Sequence, residues 1–130
     1  MLELVLDEGN SSIKYGLFES GQLIETGRIE GKEELDAILS EKEIQKGILS
    51  SVKKEDDSIA SELGKEFLIV DRKTPMPIEF DYETPETLGI DRLVAGVGGL
   101  TEFPDKDFIV VDLGTCITAD LVLSLSLIHI

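Results

Sequence analysis

The sequence predicts an α/β fold built on a mixed β-sheet, and two observations support this prediction. Segments with strand and helix patterns follow one another in the order βββαβα between Leu2 and Leu63. In addition, one pattern occurs twice: two apolar residues, Asp, any residue, Gly, then Asn or Thr. It is found at Asp7 and again, 105 positions later, at Asp112. An internal repeat of this kind predicts two similar halves.

The composition indicates a soluble globular chain with an acidic surface. Its 130 residues are 42% apolar and 30% charged, which suits one domain with a real core. The formal net charge of −15 argues against nucleic acid and anionic membrane as partners, because binding to phosphate backbones depends on Lys and Arg.

Cysteine usage and the N-terminal residues predict a cytoplasmic protein. The single Cys116 excludes an intramolecular disulfide and fits a reducing compartment. We expect Cys116 to be a small apolar filler rather than a nucleophile. Glu3 and Asp7 interrupt the first apolar run, so no signal peptide is predicted, and no stretch reaches membrane-spanning length.

The first three predicted elements are strands joined as a meander. Alternating apolar residues place them at Leu2–Leu6, Ser11–Glu19 and Leu23–Glu30, with a turn at Ser20–Gly21. In the tight turn between the first two strands, Gly9 is free to take positive φ.

A helix and two buried strands complete the predicted sheet layer. The strands are Gly47–Val52 and Phe67–Val70, and a short helix between them has a candidate cap within Asp56–Ser58 and ends at Leu63. The longer helix is predicted over Lys32–Glu41 because three apolar residues share one face: Leu35, Ile38 and Leu39.

The remaining chain is predicted as a loop, a helix and a strand. Residues 71–85 hold three of the four prolines and are expected to be irregular and partly extended. A helical stripe runs from Ile90 to Leu100, although its glycines cost about 1 kcal/mol each relative to Ala. We expect those glycines to allow close approach to another backbone. The strand Phe108–Val111 leads into the second copy of the repeat.

The turn that follows Asp7 carries the groups needed to hold the phosphates of a metal–nucleotide complex. Backbone N–H groups, hydroxyls and Lys14 suit phosphate oxygens, and the carboxylate suits a metal or its waters. A single such turn would be read as an ordinary hairpin, and Lys14 as a solvent-facing strand residue. The second copy at Asp112 favours a site, with the two halves facing each other across one nucleotide.

Asp91 and Arg92 are the candidate catalytic pair. A carboxylate near an alcohol can accept its proton during phosphoryl transfer. The neighbouring arginine is expected to keep that carboxylate ionised and to face an anionic substrate. The alternative is the exposed start of a helix with a local ion pair.

Three sequence motifs occur in this chain order: Asp7-x-Gly9-Asn10-Ser11-x-x-Lys14, Thr84-Pro85-x-Thr87-Leu88-Gly89-Ile90-Asp91-Arg92 and Val111-Asp112-x-Gly114-Thr115-x-x-Thr118. The first and third alone indicate only the wider actin-like ATPase superfamily. With the middle motif, which makes the match specific, the three together resemble those of type III pantothenate kinase.

This resemblance covers residues 1 to about 123. It implies a ribonuclease H-like domain at 1–105, with a mixed five-stranded sheet and flanking helices, and the first strands of a second such domain at 106–124. It also implies ATP-dependent phosphorylation of pantothenate, the first step of coenzyme A biosynthesis, by a homodimer. The implied cofactors are Mg²⁺ with the ATP and a monovalent cation, K⁺ or NH₄⁺.

The resemblance also implies roles for individual residues. Asp91 would be the general base, Asp112 would hold the monovalent cation, and Thr115 would contact the nucleotide. The ATP phosphate loop would be formed by Asp7, Glu8, Gly9, Asn10, Ser11, Ser12, Ile13 and Lys14. Pantothenate would be bound by Tyr82, Gly89, Ile90, Asp91 and Arg92.

Two alternatives to this function stay open. One is a non-catalytic relative that acts as a transcriptional accessory protein, and the other is a superfamily kinase for another small alcohol. Residues 125–130 are set apart from both, because they carry no charge and resemble the translated end of a transposon-based sequencing adaptor. We expect the natural gene to continue for another half of similar size.

Overall fold

The computed structural model describes residues 1–54, 57–124 and 127–129, which fall into two compact units. The first unit is Met1–Asp71 and the second is Arg72–Ile130. No helix in the described ranges is long and apolar enough to cross a membrane. The domain division expected after residue 105, for the longer protein, stays a prediction.

The first unit contains the five-stranded mixed sheet that the sequence predicts. The strand order is β3-β2-β1-β4-β5, in which β1, β2 and β3 pair antiparallel while β4 and β5 run parallel to β1. A 3₁₀ turn, Ile59–Glu62, precedes β5, and Ser58 caps it by accepting from the Ala60 N–H at 3.2 Å. The other elements are β1 Leu2–Glu8, β2 Ile13–Glu19, β3 Gln22–Ile29, α1 Lys32–Glu41, β4 Ile44–Ser51 and β5 Phe67–Ile69.

The core of the first unit lies between one face of this sheet and α1. The predicted apolar face of α1 is confirmed: Leu35 is fully buried, and Ile38 and Leu39 pack beside it. The cap predicted within Asp56–Ser58 is formed by Ser58, while Asp56 lies outside the described residues. All five strands of the sheet contribute buried side chains, namely Leu4, Leu6, Ile13, Leu17, Ile29, Leu49 and Phe67.

The two hairpin turns of the meander differ from each other. Ser20 and Gly21 both have positive φ, 52° and 78°, as in the two-residue turns whose twist matches that of a hairpin. The freedom of Gly9 to take positive φ is not used, because Gly21 is the glycine with positive φ among the described residues. The wider turn after β1 is closed by the Gly9 N–H donating to the Ser12 carbonyl at 3.0 Å, which needs no left-handed residue.

The second unit is built on a four-stranded sheet and one helix. The sheet order is β6-β9-β8-β7, and α2 spans Ile90–Glu102. Gly99 of α2 makes room for a side chain, because a Cβ there would meet the Phe108 ring at 2.3 Å, whereas Gly98 faces open space. The strands are β6 Glu79–Asp81, β7 Phe108–Leu113, β8 Ile117–Leu123 and β9 Leu127–His129.

Two strands fall in segments for which no regular strand was predicted. β6 lies within residues 71–85, which agrees with a partly extended segment. β9 lies within the tail 125–130 and pairs with β6 and β8. The non-native origin of that tail stays a prediction, and three of its residues lie outside the described part of the chain.

Candidate functional site

A row of polar residues crosses four strands at the end of the first sheet. Lys14 on β2 lies directly opposite Asp7 on one side and Arg28 of β3 on the other, and Asp7 is in register with Ser50 of β4. Directly opposed residues of paired strands project from the same face of a sheet. The predicted site residues Asp7 and Lys14 are therefore neighbours, and Ser50 and Arg28 extend their row.

A cavity of about 420 Å³ opens beside the turn that follows β1. Its wall combines the polar turn with two cations and one acid from nearby strands and loops, which suits an anionic ligand that needs both N–H donors and positive charge. The lining residues are Asn10, Ser11, Ser12, Ile13, Arg28, Ile29, Glu30 and Lys53.

Glu8, the last residue of β1, is fully buried at 0% exposure. Its carboxylate accepts hydrogen bonds from the Ser51 hydroxyl at 2.7 Å, the Ser58 hydroxyl at 2.5 Å and the Ile59 N–H at 3.2 Å. The ammonium of Lys53 lies 3.7 Å from its Oε1. Burial acts to raise the pKa of Glu8, but these hydrogen bonds and the Lys53 charge outweigh it and lower the pKa below 4.5.

The eight residues expected to form the phosphate loop thus lie in different surroundings. The side chain of Glu8 is fully enclosed, and Ile13 is apolar and 8% exposed, although it also lines the cavity, so their polar contribution to a ligand is limited to backbone groups. Asn10, Ser11 and Ser12 line the cavity. Glu8 instead links the turn to Ser51 at the end of β4 and to Ser58, contacts that sequence reasoning missed.

In the second unit, the segment before α2 is held by side chains that sequence reasoning also missed. The Arg72 guanidinium donates to the carbonyls of Pro85 and Leu88. The hydroxyl of Thr87 donates to the Thr84 carbonyl at 2.8 Å, and the two threonine hydroxyls are 2.6 Å apart. These contacts fix the backbone immediately before Gly89, the first of four consecutive predicted substrate residues.

Gly89 and Asp91 fit together at the start of α2. Gly89 is the N-cap residue, and a Cβ placed on it would lie 2.3 Å from Oδ1 of Asp91. The Asp91 carboxylate therefore folds back over Gly89, and the absence of a side chain there leaves room for it. Ile90 is partly buried and packs against the core of this unit, with the fully enclosed Leu88 and Leu93.

Arg92 forms its ion pair with Asp120 of β8. Its Nε donates to Oδ2 of Asp120 at 3.0 Å, and a terminal nitrogen donates to Oδ1. The expectation that Arg92 pairs with Asp91 is therefore wrong. Hydrogen bonding to Asp120, with a smaller contribution from Tyr82, raises the pKa of the guanidinium. The Tyr82 ring centroid lies 5.8 Å from the Arg92 guanidinium carbon, so two predicted substrate residues are in contact.

The sequence carries no local signal for the burial of Asp120. Side chains alternate along β8, and Asp120 shares the inward face with Thr118 and Val122, whereas the more apolar face is the exposed one. A carboxylate at 2% exposure needs a cation, and Arg92 supplies it.

The second copy of the repeat presents its residues to solvent. Asp112, Gly114 and Thr115 are all exposed around the turn between β7 and β8. Cys116 is exposed as well, so the expectation of an apolar filler is wrong. Within the described ranges, no three His, Cys, Asp or Glu residues cluster as a metal site, and the cation role of Asp112 stays a prediction.

Comparison with known proteins gives a consistent set of relatives. A family model described as type III pantothenate kinase matches residues 3–126. A type III pantothenate kinase of Bacteroides fragilis is 35% identical over 133 residues, covering 98% of this chain and 55% of the relative. Those of Cytophaga hutchinsonii and Azobacteroides pseudotrichonymphae are 39% and 38% identical, covering 90% and 92% of this chain. The chain spans about half the length of these curated relatives.

Proposed function

The chain belongs to the type III pantothenate kinase family, and we propose that the whole protein transfers a phosphoryl group from ATP to pantothenate. Its mixed five-stranded sheet with flanking helices agrees with the actin-like ATPase fold of that family. The observation that carries the proposal is the family match over residues 3–126, which includes both copies of the repeat and the segment that holds Asp91.

In this proposal, the first unit binds the phosphates of ATP. The turn residues Asn10, Ser11 and Ser12 line a cavity and offer N–H and hydroxyl donors, and Lys14 adds a positive charge on the adjoining sheet face. Asp7, directly opposite Lys14, offers the carboxylate oxygens that Mg²⁺ prefers. When bound, Mg²⁺ would neutralise charge on the phosphate oxygens.

The second unit supplies the acceptor side of the reaction. Asp91 is assigned as the general base that takes the proton of the pantothenate hydroxyl, and its position over Gly89 at the start of α2 supports that role. Tyr82 and Arg92 are in contact with each other, and Asp120 orients Arg92; both are assigned to substrate binding with Gly89 and Ile90. Thr115 is assigned to the nucleotide and Asp112 to a monovalent cation.

The proposal extends to the assembly and location of the whole protein. We assign a cytoplasmic homodimer, on the strength of the family resemblance. Because the chain spans about half of its relatives, we also propose that residues 1–130 alone do not phosphorylate pantothenate. Phosphopantothenate formed by the purified chain, above a no-enzyme control, would contradict that last point.

The test of the function is steady-state kinetics of the full-length protein with Asp91→Asn. This change keeps the shape and removes proton acceptance, so kcat should fall by roughly 10²–10⁴ while the KM for ATP changes little. Asp7→Asn should instead raise the KM for ATP. Glu102→Gln, at the exposed opposite end of α2, is the matched control and should behave as wild type. A near-normal kcat for Asp91→Asn would contradict its role as the base.

A further inference from the structure

Two cations face each other across β2 and β3 in the polar row of the first unit. Lys14 and Arg28 are directly opposed in the antiparallel register, and both are exposed. Like charges in this arrangement destabilise a sheet. Asp7 lies on the other side of Lys14, so the three side chains carry one net positive charge on a chain whose formal charge is −15. An anionic ligand at this place would offset that cost, in addition to Glu30, the one acid among the described residues of the cavity wall.

Arg28 is also placed to meet an anion beside the turn. It lines the cavity formed with Asn10, Ser11 and Ser12. Lys53, the other basic residue in the cavity wall, has the buried Glu8 as its ionic partner, whereas Arg28 forms no ion pair with any residue of the described ranges. A guanidinium presents a planar fork of donors that matches two oxygens of one phosphate.

We propose that Arg28 binds the phosphates of the nucleotide beside Lys14, as a further binding residue of that site. The inference rests on the proposed function, because it takes the turn after β1 to be the phosphate site. A bound polyphosphate converts the repulsion between Lys14 and Arg28 into two attractive contacts. Arg28 lies outside the motif that carries the family resemblance, so the strand register is what brings it to the site.

A purely structural Arg28 would behave differently from a ligand-binding one. If the side chain only supported the sheet, its removal would lower the stability of the ligand-free protein. If it binds phosphate, removing it relieves a like-charge contact, so the ligand-free protein keeps or gains stability while nucleotide affinity falls. The two roles are separated by measuring both quantities on the same variants.

The experiment is calorimetric titration of the full-length protein with ADP, and separately with inorganic tripolyphosphate, without pantothenate. Arg28→Gln should weaken both ligands by roughly 10- to 100-fold, the usual value of a hydrogen bond to a charged group. Arg28→Lys keeps the charge and loses the planar fork of donors, so its affinities should lie between those of wild type and of Arg28→Gln. Lys65→Gln removes an exposed charge before β5, at the opposite end of the parallel strands, and should bind as wild type.

The outcomes separate this inference from the proposed function. Wild-type affinity for ADP in Arg28→Gln would overturn the phosphate role, and so would weaker ADP binding accompanied by a matching loss of ligand-free stability. Neither result affects the assignment of the acceptor. A wild-type protein that binds ADP but does not phosphorylate pantothenate would instead overturn the proposed function, while the ADP titration still decides the role of Arg28.

Discussion

The two copies of the repeated turn differ in the polarity and the burial of the residue that follows the aspartate. In the first copy, Asp7 is followed by Glu8, a charged residue with 0% exposure. In the second, Asp112 is followed by Leu113, an apolar residue with 76% exposure. The equivalent positions therefore invert the usual preference for apolar residues inside and charged residues outside. The shared pattern specifies strand, turn and strand, but the surroundings decide what each turn buries.

The difference comes from the elements around each hairpin. The first hairpin packs Ile13 and Leu17 into a core, and Ser51 and Ser58 close over Glu8. The second hairpin places a row of apolar side chains on one exposed face, because its cross-strand pairs share that face. These residues are Ile109, Val111, Leu113, Ile117 and Leu121, which are 36% to 77% exposed.

The largest effect in this comparison is expected from Glu8→Ala. The change leaves two hydroxyls and the Ile59 N–H without their acceptor, so the free energy of unfolding should fall by about 3 kcal/mol. Leu113→Ala, at the equivalent exposed position, should change it by less than about 0.5 kcal/mol. Urea unfolding of both variants measures the difference, and amide exchange in β1 and β4 assigns it to the first unit. Equal losses would mean that the burial of Glu8 contributes nothing.

Protonation of the Glu8 carboxylate should remove part of the stabilisation that Glu8→Ala removes. The pKa of Glu8 is lowered in the folded protein, so its stabilisation is present above the unfolded value of 4.5 and is lost as pH falls through the folded pKa. Glu8→Gln imitates the protonated carboxyl. The stability gap between wild type and Glu8→Gln should be widest at neutral pH and should narrow below 4.5. A gap that stays constant across this range would show that the charge of Glu8 is unimportant.

Two adjacent serines of β4 test single contacts around the first turn. The Ser51 hydroxyl donates to Glu8 and accepts from the Lys53 N–H, so Ser51→Ala should cost about 1–2 kcal/mol. The Ser50 hydroxyl is buried and has no hydrogen bond within the described part of the chain, so Ser50→Ala should stay within about 0.5 kcal/mol. Urea unfolding of the two variants measures both losses in the free energy of unfolding. A larger loss for Ser50→Ala would reverse the assignment.

The same contrast explains how far sequence reasoning reaches. The bounds of α1 were predicted at Lys32–Glu41 because the spacing of its apolar residues is a local property. The partner of Arg92 was predicted wrongly because Asp120 lies 28 residues away, and adjacency favoured Asp91. The hydrogen-bond partners of Glu8 lie 43 and 50 residues away along the sequence, so no local pattern predicts its burial. The sequence motifs identified Asp7, Lys14 and Asp91 as candidate site residues, whereas Arg28 was identified only from the register of β2 and β3.

The smallest effect is expected at the second turn, from Leu113→Lys. An exposed side chain contributes little to the folded state, so the free energy of unfolding should change by less than about 0.5 kcal/mol. The change does interrupt the exposed apolar row, which also contains Val111 and Ile117, and such rows favour association between chains. Light scattering of the 130-residue chain should therefore show less association at unchanged stability. Lys65→Gln, which leaves the row intact, serves as the control. If Leu113→Lys instead unfolded the chain, the second turn would be as dependent on its central residue as the first turn is on Glu8, and the contrast between the two copies would fail.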